Sequence, residues 1–303
     1  MPKQHINQLS DIDLRLLKIF KTIVEAGGFS AAEAVLNISS AAISTAVNDL
    51  ETRLGFCLCQ RGRAGFSLTE EGAEIYQFIL QLLSSIENFK TQVNGLHSEL
   101  KGELNIGITD NLVSMPNMHI TQALGQLKDQ GPDVVVNIRM IPPIDIELAV
   151  FNGKLHVGIL PLFKKLKGLN YQDLYREKSL LYCAKNHPLY HLEDSQVELS
   201  CWNAVLPCYA QSAKIKKQLQ QLKSEGSASA TDREGIAFLI LTGRYIGYLP
   251  DHFAKRWVAC GRLRAINPEQ FCYETQMSVV TRKGVPLNPV TTAYLEHLLG
   301  HGA

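Results

Sequence analysis

Two groups of side chains in this sequence have the types and spacing to do chemistry. The first is Ser40, Ala41, Ser44, Thr45 and Asn48. Ile43, Val47, Leu50 and Leu54 recur between them at helical spacing, so the apolar set faces inward and the small polar set outward. Such a face can enter a major groove, exchange hydrogen bonds with base edges and touch a thymine methyl. Ser30 and Ser39 precede short helical runs and join this surface as capping residues. Ser30 with Glu33 three residues on is the pattern of a capping box. Arg61 and Arg63 share a Gly-containing turn, where they suit phosphate or a narrow minor groove. The second group sits where strands should end: Thr109, Asp110 and Asn111, then Pro142 and Pro143, then Pro161, with Pro207 and Cys208 facing them. In open α/β sheets ligands bind beyond the carboxyl ends of strands. The Thr109 hydroxyl can donate to a ligand, whereas Asp110 would repel an anion. Both residues equally suit the N-cap of the helix that follows.

Catalytic patterns are not found. There is no G-x-S-x-G elbow, no P-loop and no H-E-x-x-H. His297 and His301 are four apart, but Gly300 and the chain end intervene. The seven cysteines lack C-x-x-C spacing. No catalytic residue, metal site or cofactor is therefore assigned, and the expectation is a protein that is not an enzyme. The net charge of +1 does not favour nucleic acid, and residues 1–69 carry seven basic against six acidic side chains. The two arginines of the turn are the positive cluster. No apolar run approaches the ~18 residues of a membrane span, and the first residues lack the apolar block of a secretory signal. A cytoplasmic protein without a membrane partner is expected.

The elements that must position these residues follow from periodicity. The chain has 303 residues, enough for roughly two domains. Residues 9–26 have helical apolar spacing and stop at Gly27-Gly28. A second helix runs from Ser30 to Asn37, and a third from Ser39 or Ser40 to Gly55. Residues 56–69 read as a small β-hairpin wing. From Glu70 a long helix carries Ile75, Ile79, Leu82, Ile86, Phe89, Val93 and Leu96 at alternating steps of four and three, the a/d seam of a pairing helix. Residues 97–102 read as a hinge.

Beyond residue 102 the period changes. Strand 104–109, helix 112–130, strand 134–141, helix 144–154 and strand 156–160 make β-α-β-α-β, which implies a parallel sheet covered on both faces. Strands 180–184 and 203–207, helix 212–223, helix 232–241, strand 245–249 and helix 251–259 form a second block. Strand 277–281 and helix 288–299 return to the first. The expected organisation is a winged helix-turn-helix domain (1–69), a dimerisation helix (70–96), the hinge, and a two-lobed α/β domain (103–303). Its first lobe takes 103–161 and 268–303, its second 162–267.

Several blocks in order carry a resemblance: LRLLKIF from Leu14, GGFSAA from Gly27, Ile43-Ser44, LETRLG from Leu50, Arg61-Gly62-Arg63 and LTEEG from Leu68. They resemble the N-terminal domain of LysR-type transcriptional regulators. KNHPL from Lys185, GRYIGYLP from Gly243 and GRLR from Gly261 extend the resemblance to that family's effector-binding domain, which is similar to periplasmic solute-binding proteins. The resemblance implies that the third helix reads the major groove, that the wing holds the backbone and that the long helix pairs antiparallel with a second copy. It implies promoter DNA, a small-molecule effector and a homodimer or dimer of dimers as partners. The sequence departs from the family where Ser39-Ser40-Ala41 replaces a frequent Ser-Gln-Pro, and where Thr45 replaces a usual Arg. Two other readings remain: an α/β small-molecule-binding protein or enzyme with an accessory helical head, and a regulator with a vestigial cleft.

Overall fold

The computed structural model describes residues 10–62, 65–95, 100–116, 119–192, 198–207, 216–217, 219–220 and 222–300. The chain divides into two compact units, Met1–Asn88 and Phe89–Ala303. In the first, α1 (Asp11–Ala26) begins with a reciprocal capping box between Ser10 and Asp13, so it starts slightly later than apolar spacing suggested. The Ser10 hydroxyl and backbone, with Arg53 beside them, hold the Asp13 carboxyl below its usual range. Gly27, at φ 79°, ends the helix.

The Ser30 capping box is corrected. Helix α2 (Phe29–Leu36) is capped two residues earlier, with Gly28 as its N-cap and no side-chain cap. The Ala32 amide bonds the Gly28 carbonyl at 3.1 Å, which places Ser30 inside the first turn. Helix α3 (Ser40–Leu54) is capped by Ser39, whose Oγ accepts from the Ala42 amide at 3.3 Å. Leu16, Phe20, Ile23, Ala32, Ile43, Val47 and Leu50 close the core of this unit. Strands β1 (Cys59–Gly62) and β2 (Gly65–Leu68) form the antiparallel wing. A Glu51 carboxylate oxygen ties it to α3, accepting from the Leu58 amide at 2.6 Å and the Cys59 amide at 3.3 Å.

Helix α4 (Glu70–Gly95) follows at once. The Thr69 hydroxyl accepts from the Gly72 amide at 2.9 Å and donates to the Cys57 carbonyl at 2.7 Å. Gly72 lies against the wing backbone: a Cβ there would stand 1.8 Å from the Leu58 carbonyl oxygen. The expected seam is corrected at its start. Ile79 is 2% exposed and lies with Tyr76 and Leu80 in the core of its own unit, and Ile75 and Leu82 pack against that core. The first turns of α4 complete the head rather than present a pairing surface. Phe78, Phe89 and Val93 are the large apolar side chains of α4 that stay exposed. Ile86 is half-buried, and Leu96 lies outside the described residues.

The second unit holds β3 (Glu103–Ile108), a 3₁₀ turn (Leu112–Ser114), α5 (His119–Gln130), β4 (Val135–Met140), α6 (Pro143–Phe151), β5 (Val157–Pro161), β6 (Leu169–Ala184), β7 (Asn203–Pro207), β8 (Lys223–Ala230), α7 (Arg233–Leu241), β9 (Gly247–Pro250), α8 (Asp251–Ala259), β10 (Leu263–Ala265), β11 (Cys272–Arg282) and α9 (Pro289–Gly300). The expected helix 112–130 is interrupted. Asn111 sits at φ 64° and only a short turn follows before α5 starts at His119. Half of the expected helix 212–223 lies outside the described residues; residues 216, 217 and 219 are helical, and Lys223 opens β8 instead.

Strands β4, β3 and β5 are parallel, as the β-α-β-α-β pattern requires. They continue through β11 and β6 to β10, with β9 paired to β6. Strand β6 is 16 residues long rather than five. It pairs with β11 from Leu169 opposite Arg282 to Leu180 opposite Cys272, with a register slip between Met277 and Ser278. Its far end pairs with β9 and β10. The same two strands thus serve both lobes. Each lobe has its own apolar packing, around Leu104, Ile106, Val279 and Tyr294 in one, and around Leu181, Ile246, Ile240 and Leu249 in the other.

Candidate nucleic-acid interface and ligand cleft

On α3 the apolar set is buried, and Ala41, Thr45 and Asn48 are exposed, with Ser40 and Ser44 half-buried. The Thr45 hydroxyl donates to the Ala41 carbonyl at 3.1 Å, leaving its lone pairs and methyl outward. Ser39 is exposed but spends its acceptor on the cap, and Ser30 is exposed on α2. Arg61 stands in β1 opposite Phe66. Arg63 lies outside the described residues. No side chain of α3's outward set is bulky, so the helix backbone can approach a groove closely.

In the second unit a cavity of about 340 Å³ lies at the strand ends, lined by Thr109, Asp110, Met140, Ile141, Pro142, Pro143, Pro161, Thr231, Asp232, Arg233 and Glu234. Thr109, Asp110, Pro142, Pro143 and Pro161 are thus brought together as the strand-end rule predicts. Asn111 and Pro207 are corrected, since neither lines the cavity. Asn111 turns its amide onto Asp110 at 2.8 Å. Pro207 pairs with Ala230 in the β7–β8 ribbon, and residues 231–234 beyond β8 occupy the place assigned to it. Cys208 lies outside the described residues. The capping alternative for Thr109 also fails. Its hydroxyl is buried and has no hydrogen-bond partner, although the residue is only 2% exposed.

Residues 231–234 were missed because β8, KSEGSASA, lacks the β-branched and aromatic residues that mark a strand. Its end was therefore not counted among the strand ends. The Asp232 carboxylate caps α7, accepting from the Gly235 amide at 2.7 Å. Arg233 then lies at a helix N-terminus, where the dipole disfavours a cation. Carboxylates on two sides compensate. Arg233 Nη1 donates to Asp110 Oδ1 at 2.8 Å, its backbone amide to Asp110 Oδ2 at 2.6 Å, and Nη2 to Glu177 Oε2 at 2.7 Å. Glu177 Oε1 lies 3.1 Å from His252 Nε2, and His252 Nδ1 lies 2.8 Å from Ser114 Oγ. Ser114 Oγ donates to the Asn111 carbonyl at 2.8 Å. These contacts close a ring through Asp110, Asn111, Ser114, His252, Glu177 and Arg233. It joins the end of β3 and the turn after it to α7 and α8 of the other lobe, with β6 between.

Burial alone would raise the Glu177 carboxyl, but Arg233 and His252 outweigh it and hold it below the ordinary range. A depressed folded-state value means that its stabilisation is complete above the unfolded value and is lost as pH falls through the folded one. Thermal unfolding of the second unit should therefore lose stability on acidification below about pH 4. Glu177→Gln should lower its stability at neutral pH and flatten that acid limb. An unchanged limb in the variant would remove Glu177 from the titration.

Among the described residues no helix is long and apolar enough to cross a membrane. Comparison with known proteins gives two family matches. Residues 14–73 match the bacterial regulatory helix-turn-helix proteins of the lysR family, and residues 97–303 match the LysR substrate binding domain. The HTH-type transcriptional activator BauR of Pseudomonas aeruginosa is 52% identical over 294 residues, covering 96% of each chain. Full-length CbnR, solved as a complex with its target DNA, superposes with a TM-score of 0.65 at 16% identity, covering 94% of this chain and 98% of that one. Full-length LysG from Corynebacterium glutamicum, solved with bound effector Arg, gives 0.54 at 18% identity, covering 95% and 98%.

Proposed function

The chain belongs to the LysR family of transcriptional regulators, and from that premise we propose that it works in the cytoplasm as a homodimer or dimer of dimers on promoter DNA, answering to a small molecule held between its lobes. It is a regulator and not an enzyme. Two heads joined through α4 engage half-sites about one helical turn apart, roughly 34 Å. Ser40, Ala41, Ser44, Thr45 and Asn48 read base edges, with Ser30 and Ser39 at the rim. Arg61 and Arg63 hold the phosphates. With Thr45 where relatives usually carry an arginine, affinity leans on the wing and on assembly. The exposed Phe78, Phe89 and Val93 support α4 as the pairing arm. The 52% identical relative is an activator, and activation is the expected sign here.

The observation that carries the ligand half of this reading is Thr109. Its buried hydroxyl has no partner and the residue lines the cleft, and a buried polar group left unpaired is destabilising unless something meets it. A ligand there acts by preferring one arrangement of the lobes over the other. The ring from Asp110 to Arg233 is the link it would strengthen or break.

The DNA half is tested by fluorescence anisotropy on a labelled fragment of the gene's own upstream region. If about six phosphates are contacted, affinity should fall on the order of a thousandfold between about 50 and 200 mM salt. Asn48→Ala should reduce discrimination between this fragment and random DNA by about 1–3 kcal/mol without altering the salt slope. Salt-independent binding, or equal affinity for random DNA by both proteins, would rule the reading out.

A further inference from the structure

A second cavity, of about 140 Å³, shares no lining residue with the cleft. Its walls are mostly apolar, with Ile108, Leu112, Met115, Ile120, Leu124 and Ile138 among them, and it opens to solvent beside the exposed Val113 and Thr121. Tyr175, His119 and Thr121 are the polar residues of its lining, and two of their atoms matter here, the Tyr175 hydroxyl and His119 Nδ1. Both are buried and neither has a hydrogen-bond partner. Burial first, and then the Glu177 charge, raise the Tyr175 phenol above its ordinary range, so it remains a neutral O–H donor.

Size and chemistry narrow what fits. An apolar protein cavity of about 150 Å³ accepts a benzene-sized molecule, whereas each buried water needs two to four polar partners. The apolar walls leave the waters that a space of this size takes short of such partners. The lining holds no Lys or Arg to pair a carboxylate set deep against Tyr175, which makes an anion there costly. A compact aromatic alcohol meets both demands. Its ring covers the walls, and one hydroxyl accepts from Tyr175 and donates to His119 in its Nε2–H tautomer. We infer that this cavity is a second small-molecule site, which takes a neutral, phenol-sized compound bearing one hydroxyl. The inference stands apart from the cleft reading, since it uses none of its residues.

The position gives such a ligand leverage. Tyr175 lies two residues before Glu177 on β6, and Leu112 belongs to the same turn as Ser114. An occupant therefore touches the strand and the turn that supply two members of the interlobe ring.

Phenol and toluene titrated onto the full-length protein, followed by ligand-observed NMR, test this directly. Phenol should bind saturably with a Kd on the order of 1 mM. Tyr175→Phe should weaken phenol about tenfold while leaving toluene unchanged. Leu124→Phe, which fills the cavity, should abolish both. Far-UV circular dichroism checks that each variant folds, and if Leu124→Phe does not, the phenol-to-toluene ratio in Tyr175→Phe decides. No saturable phenol binding, or binding undiminished in both variants, or an equal loss of phenol and toluene in Tyr175→Phe, would overturn the inference.

Discussion

Arg233→Ala should lower the unfolding free energy of the C-terminal unit by about 3–5 kcal/mol, far more than the 0–1 kcal/mol typical of a surface ion pair. The difference lies in what is left behind. The Glu177 side chain is 1% exposed and the Arg233 side chain 10% exposed. Removing the guanidinium strands a carboxylate in a place that water cannot reach, with His252 left as its hydrogen-bonded neighbour. Asp110 keeps the residue-233 amide and Asn111, so most of the loss belongs to Glu177. The two sites should therefore be strongly non-additive. The double variant Arg233→Leu with Glu177→Leu should cost clearly less than the sum of the singles, because no charge is stranded. Urea titration of Arg233→Leu, Glu177→Leu and the double variant measures this. Additive losses would mean that the pair is not coupled. Arg233→Ala should also blunt any response of DNA binding to a cleft ligand, since it cuts the ring between the lobes.

The second large effect is expected at Gly72, where two rules give opposite signs. Helix propensity alone makes Gly→Ala inside a helix stabilising by up to about 1 kcal/mol. The clash predicts the reverse. A Cβ 1.8 Å from the Leu58 carbonyl oxygen meets backbone that is itself pinned by Glu51, so neither side can yield cheaply. Overpacking of this kind costs about 1–3 kcal/mol or more, and Gly72→Ala should lose about that much stability in the head. DNA affinity should fall with it, because the wing and the start of α4 must separate. Thermal unfolding of wild type and variant, with anisotropy on the same DNA, checks both. A gain in melting temperature would show that the helix rule prevails and that the wing moves freely.

Much of the first unit was legible because its information is local. Ile43, Val47, Leu50 and Leu54 give α3 its buried face without help from distant residues. Helix α8 was expected at residues 251–259 and found there, since Pro250 and Asp251 mark its start unambiguously. The errors share a cause. Ser30 obeyed a capping pattern, but Phe29 entered the helix first. Ile79 obeyed a heptad, but a nearer core claimed it. The first eleven residues of β6, LNYQDLYREKS, mix charges with apolar residues and are held as a strand by β11, about 100 residues away in sequence. The cleft was half-readable for the same reason. Thr109, Asp110, Pro142, Pro143 and Pro161 end strands that announce themselves, whereas Arg233 reaches Asp110 across 123 positions and Glu177 across 56. No periodicity encodes a partner that far away.

The two long strands that run through both lobes limit how this regulator can move. A pair of lobes joined by loops swings like a door on a pin. Here the joint is a hydrogen-bonded ribbon whose register slips beside Tyr175. Bulges of this type add twist, so relative lobe motion should be torsion stored elastically along the ribbon, small in angle and quick to spring back. A signal arriving at such a joint is graded by stiffness, and stiffening or softening residues 173–179 would retune the gain of the switch without touching either ligand or operator.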